Sequence, residues 1–139
     1  MNALVYYHSV TGNTKRVAAA IAAAAGTEAR PLSAGPASAD LLFLGAASYA
    51  TSGHDVAPEV RAFVESLDPA RVRRAAVFTT GFAQSDTTGK LRRLLEKRGI
   101  AVEPEGFFCK GKFTIFQMGH PDAGDLAAAA AWAARLSGD

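Results

Sequence analysis

The sequence predicts an α/β fold, a doubly wound parallel sheet with helices on both faces. Two observations carry this. Short apolar runs alternate with helix-forming stretches along the chain, the pattern of strands joined by crossover helices. One run, Leu41 to Ala47, is continuously apolar, as a strand covered on both faces must be.

Taken in order, Ala3 to Tyr7 is the first strand, followed by the loop His8 to Gly12. Asn13 to Ala25 is rich in Ala, Lys and Arg and reads as helix 1, stopped by Gly26. Thr27 to Leu32 is a weak second strand, and Ser33 to Ala39 is a loop. Leu41 to Ala47 is the third strand. Pro58 to Leu67 is helix 2, with proline in the first turn, where its missing N–H is harmless. Ala75 to Thr80 is the fourth strand and Thr88 to Arg98 is helix 3, closed by Gly99. Ile100 to Cys109 contains the fifth strand, and Phe113 to Met118 is a further apolar stretch. Pro121 to Leu136 is the last helix, with Asp122 and Asp125 near its positive end. Right-handed crossovers put the loops 8–13, 48–58 and 80–87 along one edge of the sheet.

A chain of 139 residues fits one domain, spanning 1–139, and can bury roughly two thirds of its unfolded surface. The single cysteine, Cys109, excludes an internal disulfide and any metal site built from several cysteines of one chain. It reads as a buried small apolar residue. Met1 to His8 has neither a basic nor a long apolar region, so no signal peptide is expected. No apolar run is long enough for a bilayer. A cytoplasmic protein is expected. With 15 basic and 13 acidic residues, the balance draws the chain toward neither nucleic acid nor membrane. His8, His54 and His120 have no carboxylate spacing that would make a metal site.

The most specific motif is Ser9-Val10-Thr11-Gly12-Asn13-Thr14, between the first strand and helix 1. A phosphate monoester needs several donors converging on one point. The first N–H groups of a helix supply some, and the helix dipole favours the charge. Ser9, Thr11 and Thr14 can add hydroxyls, and Gly12 lets the backbone come close. The loop has no lysine and lacks the Gly-x-x-x-x-Gly-Lys spacing of a triphosphate site. The competing reading is an ordinary helix cap by Ser, Thr or Asn. The position after the first strand of a doubly wound sheet favours a ligand site.

This loop, preceded by Leu4-Val5-Tyr6-Tyr7, resembles the FMN-phosphate loop of the flavodoxin family. Leu41 to Gly45 ending in Ser48-Tyr49 is similar to that family's third strand and first flavin-flanking loop. Ala76 to Gly81 resembles its fourth strand and second flanking loop. The resemblance implies a five-stranded sheet of order 2-1-3-4-5, with FMN at the switch point between strands 1 and 3. It implies phosphate binding by Ser9, Val10, Thr11, Gly12, Asn13 and Thr14. Ser48, Tyr49, Ala50, Thr80, Gly81 and Phe82 would flank the ring, Tyr49 and Phe82 by stacking, Thr80 and Gly81 through backbone N–H groups.

Three departures matter. The second loop, Gly81 to Asp86, is short and has one acid and no tyrosine. Ala50 stands where electron carriers of the family often have glycine. A flip of that peptide would cost about 1 kcal/mol more with a Cβ and leave the half-reduced flavin less stabilised. The chain is nearly balanced in charge where typical flavodoxins are acidic, and helix 3 carries Lys90, Arg92, Arg93, Lys97 and Arg98. That face reads as a solvated helix surface or as a docking face for an acidic partner. His54, in the first flanking loop, is a surface histidine or a group titrating near the reduced flavin.

The expected function is a monomeric FMN electron carrier serving a redox partner protein. A stand-alone quinone or porphyrinogen oxidoreductase is the alternative, with a substrate slot beside the flavin. A flavodoxin-like activator of a partner enzyme is a third reading, and a binding module without flavin a fourth. No Gly-x-Ser-x-Gly elbow or carboxylate pair supports hydrolysis.

Overall fold

Residue alternation along three strands sorts the core into two apolar layers, one on each side of a sheet. In the computed structural model, residues 2–9, 12–35, 38–48, 56–81, 86–110 and 121–138 are described. Their elements run β1 (Ala3–Tyr7), α1 (Asn13–Ala25), β2 (Ala29–Pro31), a 3-10 turn (Leu32–Ala34), β3 (Ala39–Ser48), α2 (Pro58–Ser66), β4 (Val72–Gly81), α3 (Thr87–Lys97), β5 (Ala101–Val102), β6 (Phe107–Lys110) and α4 (Ala123–Ser137).

Every strand pair is parallel, in the order β2-β1-β3-β4-β5, with β6 also beside β4. Ala3 and Val5, Leu41 and Phe43, and Ala76 and Phe78 face α1 and α4. Leu4 and Tyr6, Leu42 and Leu44, and Ala75 and Val77 face α2 and α3. Trp132 of α4 is buried against Phe43, its ring edge-on at 5.4 Å between centroids. Small residues, Ala18 and Ala22 of α1 with Ala129 and Ala133 of α4, line the layer between those helices. At the centre of β3, Gly45 is required by packing. A Cβ there would collide with the ring of its register partner Phe78.

The predicted order 2-1-3-4-5 stands, with a sixth strand added. The expected fifth strand, Ile100 to Cys109, is two pieces on one edge. β4 advances from Ala75 to Phe78 while the edge advances from Val102 to Phe107, so the edge carries two extra residues as a bulge. Pro104 falls in the bulge, where its lost N–H breaks no ladder. Arg74 pairs with Glu103, the Trp132 indole donates to the Glu105 carbonyl at 3.2 Å, and Arg135 pairs with Glu105 at 2.8 Å.

Several expected boundaries shift. β3 and β4 are longer than their apolar runs, starting at Ala39 and Val72. β2 is shorter than Thr27 to Leu32, because Leu32 enters the 3-10 turn. Helices 2 and 3 differ by one residue at their ends. The last helix starts at Ala123 rather than Pro121, because Asp122 takes the cap position. The apolar stretch Phe113 to Met118 lies outside the described residues.

Candidate functional site

β1 and β3 carry the chain to the carboxyl rim together. Tyr7 is in register with Gly45, and the His8 N–H donates to the Gly45 carbonyl at 3.0 Å. The chain leaves the sheet at Ser9. Gly12 then takes a left-handed conformation, φ 91°, and precedes α1 directly. A Cβ on Gly12 would meet open space, so the backbone angle, not crowding, calls for glycine. The Gly12 N–H donates to Ser9 Oγ at 3.0 Å, which folds the loop back on itself. The first helical bond runs from the Arg16 N–H to the Gly12 carbonyl at 3.1 Å.

The starts of α1 and α4 differ in a way that bears on ligands. α4 is closed by its own carboxylates. Asp122 Oδ1 accepts from the Asp125 N–H at 2.8 Å, and Asp125 Oδ2 accepts from the Asp122 N–H at 2.9 Å. α1 has Gly12 at its cap, with no side chain to accept, and no acid in its first turn. The cap position itself is thus glycine, not the Ser, Thr or Asn weighed above. The helix presents its positive end at the rim without a covalently tethered anion.

Thr14 is fully buried, and its Oγ1 lies 2.9 Å from Thr80 Oγ1. Thr80 thus turns inward from β4 toward the loop that starts α1. Its neighbour Thr79 points to the other face and meets Thr88 Oγ1 of α3 at 2.7 Å. Ser48 and Gly81 end β3 and β4 in register, so the two strands finish side by side at the rim. Asn13 is buried. Of the expected site residues, Ser9, Gly12, Asn13, Thr14, Ser48, Thr80 and Gly81 come to this one rim. Val10, Thr11, Tyr49, Ala50 and Phe82 lie outside the described residues, as do His54 and His120.

Another pairing escaped the sequence besides Thr14–Thr80. His8 Nε2 meets Glu59 Oε2 at 2.9 Å, across from the first turn of α2. A cavity of about 500 Å³ opens beside this pair. Tyr7, Leu32 and Phe63 give it apolar walls, and Ser9 belongs to both the cavity and the loop. No spacing links residues 51 positions apart; only the β1–β3–α2 arrangement does. Cys109 is buried, and burial, with Asp125 and Asp122 adding, pushes its thiol up to about 12. Among the described residues no group of His, Cys, Asp and Glu could hold a metal ion, and no helix is long and apolar enough to cross a membrane.

No family model matches the chain, and no curated protein matches it in sequence. Solved structures do match in shape. A flavodoxin from the domain Archaea superposes with a TM-score of 0.77 at 17% identity, over 99% of this chain and 97% of that one. Flavodoxin 1 from Bacillus cereus gives 0.71 at 21% identity, over 98% and 97%. The flavodiiron core of Flv1 from Synechocystis gives 0.72 at 17% identity, with 99% of this chain matching 35% of that one. The parallel order, the glycine turn before α1 and the full-length superposition agree: the chain has the flavodoxin fold.

Proposed function

We propose that this protein binds FMN at the carboxyl rim of its sheet and carries electrons to or from a partner redox protein. The observation that carries the reading is the start of α1. A left-handed Gly12 brings the backbone round to Ser9, whose Oγ accepts from the Gly12 N–H, and no acid in the first turn competes for the positive end of the helix. That is a fit for a dianionic phosphate held by neutral donors.

FMN, when bound, supplies the redox chemistry. The chain supplies the hold. Ser9, Gly12, Asn13 and Thr14, with Val10 and Thr11, bind the phosphate. Thr80 fixes Thr14 from behind, since each hydroxyl can donate to only one partner and accept from others. If Thr80 donates to Thr14, the Thr14 proton is left to point at the phosphate. Ser48, Tyr49, Ala50, Gly81 and Phe82 border the ring. A lone buried cysteine suits a reducing cytoplasm, and a single copy suits a carrier.

The test is a visible absorption titration of the purified protein with FMN and with riboflavin. FMN should bind at least tenfold more tightly, because riboflavin lacks the phosphate. Equal affinity, or no binding of either, overturns the reading. A stand-alone oxidoreductase is the second reading, favoured by the cavity of about 500 Å³ that shares Ser9. Turnover of a quinone by the reduced protein alone would establish it.

A further inference from the structure

Two cavities between α2 and α3 run into one groove, of about 230 and 220 Å³, sharing Arg61, Leu94 and Lys97. Val56, Lys90 and Arg93 complete the first. Val64, Glu65 and Arg98 complete the second. Five of the chain's 15 basic residues thus border one groove, although the net charge of the chain is only +2. A single carboxylate, Glu65, lines it among the described residues, and Val56, Val64 and Leu94 give it an apolar floor.

The groove follows from helix periodicity. Leu91 and Leu95 of α3 are buried on the sheet, which turns Lys90, Arg93 and Lys97 toward one flank. Val60, Phe63 and Val64 bury α2 in the same way and put Arg61 on the facing flank. Both ends are shaped. Arg98 Nε donates to the Leu67 carbonyl at 2.9 Å and ties the two helix ends together. At the other end, Asp86 Oδ2 accepts from Arg93 Nη2 at 2.8 Å. Gly89 permits this, since a Cβ there would lie 2.5 Å from Asp86 Oδ1. The hydrogen bond and charge of Arg93, with Lys90 adding, hold the Asp86 carboxyl below its usual range. Val56 and Asp86 stand just before the starts of α2 and α3, the helices that follow parallel β3 and β4, so this end opens at the carboxyl rim. The basic face expected on helix 3 divides. Arg92 turns to the β5 side and donates to the Pro104 carbonyl at 3.3 Å.

We infer that this groove docks an acidic segment of a partner protein that carries one apolar anchor side chain. The identity of the partner as a redox protein rests on the electron-carrier reading above; the chemistry recognised rests on the groove. Lys90, Arg93 and Lys97 on α3, with Arg61 facing them from α2, attract carboxylates, and the attraction is screened over about 8 Å at physiological salt. A lone small anion would reach only part of the groove and leave its apolar floor uncovered. A peptide laid from the rim toward Arg98 uses both.

The experiment is an amide-resonance titration of the FMN-treated protein with a synthetic peptide of six Glu and Asp residues around one Leu. Shifts should gather at Arg61, Val64, Leu94 and Lys97. Affinity should fall at least tenfold when the acids become Gln and Asn, at least threefold when the Leu becomes Ser, and at least tenfold from 25 to 250 mM salt. Arg61→Glu with Lys97→Glu should weaken binding at least tenfold, the milder Arg61→Gln with Lys97→Gln severalfold, and Arg92→Glu less than twofold. Scattered shifts, or equal losses from Arg92→Glu, overturn the inference. So does tripolyphosphate binding as tightly as the peptide, which would make this a small-polyanion site. Flavin absorbance is read in the same samples. Peptide binding without flavin overturns only the carrier reading, and flavin without peptide binding overturns only the groove.

Discussion

Replacing Thr14 by valine removes the hydroxyl that Thr80 Oγ1 meets at 2.9 Å, in a place where both side chains are shut away from water. A buried hydroxyl that loses its partner costs about 1–3 kcal/mol, whereas replacing both partners by apolar groups of the same shape is nearly neutral. Thr14→Val and Thr80→Val should therefore each destabilise by about 1–3 kcal/mol, and the double variant by less than about 1 kcal/mol. For a chain of 139 residues, 1 kcal/mol is about 4 °C in Tm. Each single variant then melts about 4–12 °C lower, and the double variant within a few degrees of the parent. Urea unfolding of all four proteins without flavin closes the double-mutant cycle. Repeating it with FMN separates folding from binding. Thr14→Val should lose more FMN affinity than Thr80→Val, because only Thr14 lies on the phosphate loop. If the double variant loses as much stability as the two singles added together, the hydroxyls do not depend on each other and the account of the rim fails.

Gly12→Ala forces a Cβ onto a residue at φ 91° and should cost about 1–2 kcal/mol in urea unfolding and weaken FMN as well, although space for the methyl is open. Gly45→Ala drives a methyl into the Phe78 ring and should cost about 1–3 kcal/mol, with Phe78→Leu in the same chain recovering part of it. Glu59→Gln should change stability by less than about 1 kcal/mol, because the Glu59 side chain is 61% exposed and its pairing with His8 is screened. Cys109 supplies a pH test. Its thiol is raised from 9.0 to about 12 in the folded chain, so at pH 8 it should react with a disulfide reagent about a thousandfold more slowly than in urea. Between pH 9 and 12 only the unfolded chain releases that proton, so stability should fall as pH rises there, and Cys109→Ala should flatten the slope.

β1 and α1 could be read from the sequence to the residue, because an apolar run, a turn and a glycine stop bracket them. Strand starts were harder. β4 begins with Val72-Arg73-Arg74, and Arg73 and Arg74 interrupt the apolar pattern. The Arg74 guanidinium finds its partners in Glu103 and the Leu136 carbonyl, both distant in sequence. The split edge strand was invisible for the same reason, since its bulge is held by Arg74, Trp132 and Arg135 from elsewhere in the chain. At the site, the phosphate-loop motif was legible because it is local. The Thr14–Thr80 and His8–Glu59 contacts were not, because each joins residues that only the strand order brings together. The basic face on helix 3 was half legible. Helical spacing selected Lys90, Arg93 and Lys97, but nothing local pointed to Arg61 on α2 or sent Arg92 the other way.

The two margins of the sheet share a property that outlasts any question of ligand. β2 offers only Ala29, Arg30 and Pro31, a charge and a residue with no N–H to donate. The opposite margin is interrupted by the bulge between Val102 and Phe107. Among the described residues, a neighbouring molecule seeking to extend the ladder finds three rungs on one side and a break on the other. Crowded solutions of the folded protein should therefore resist edge-to-edge polymerisation, leaving each molecule free to diffuse.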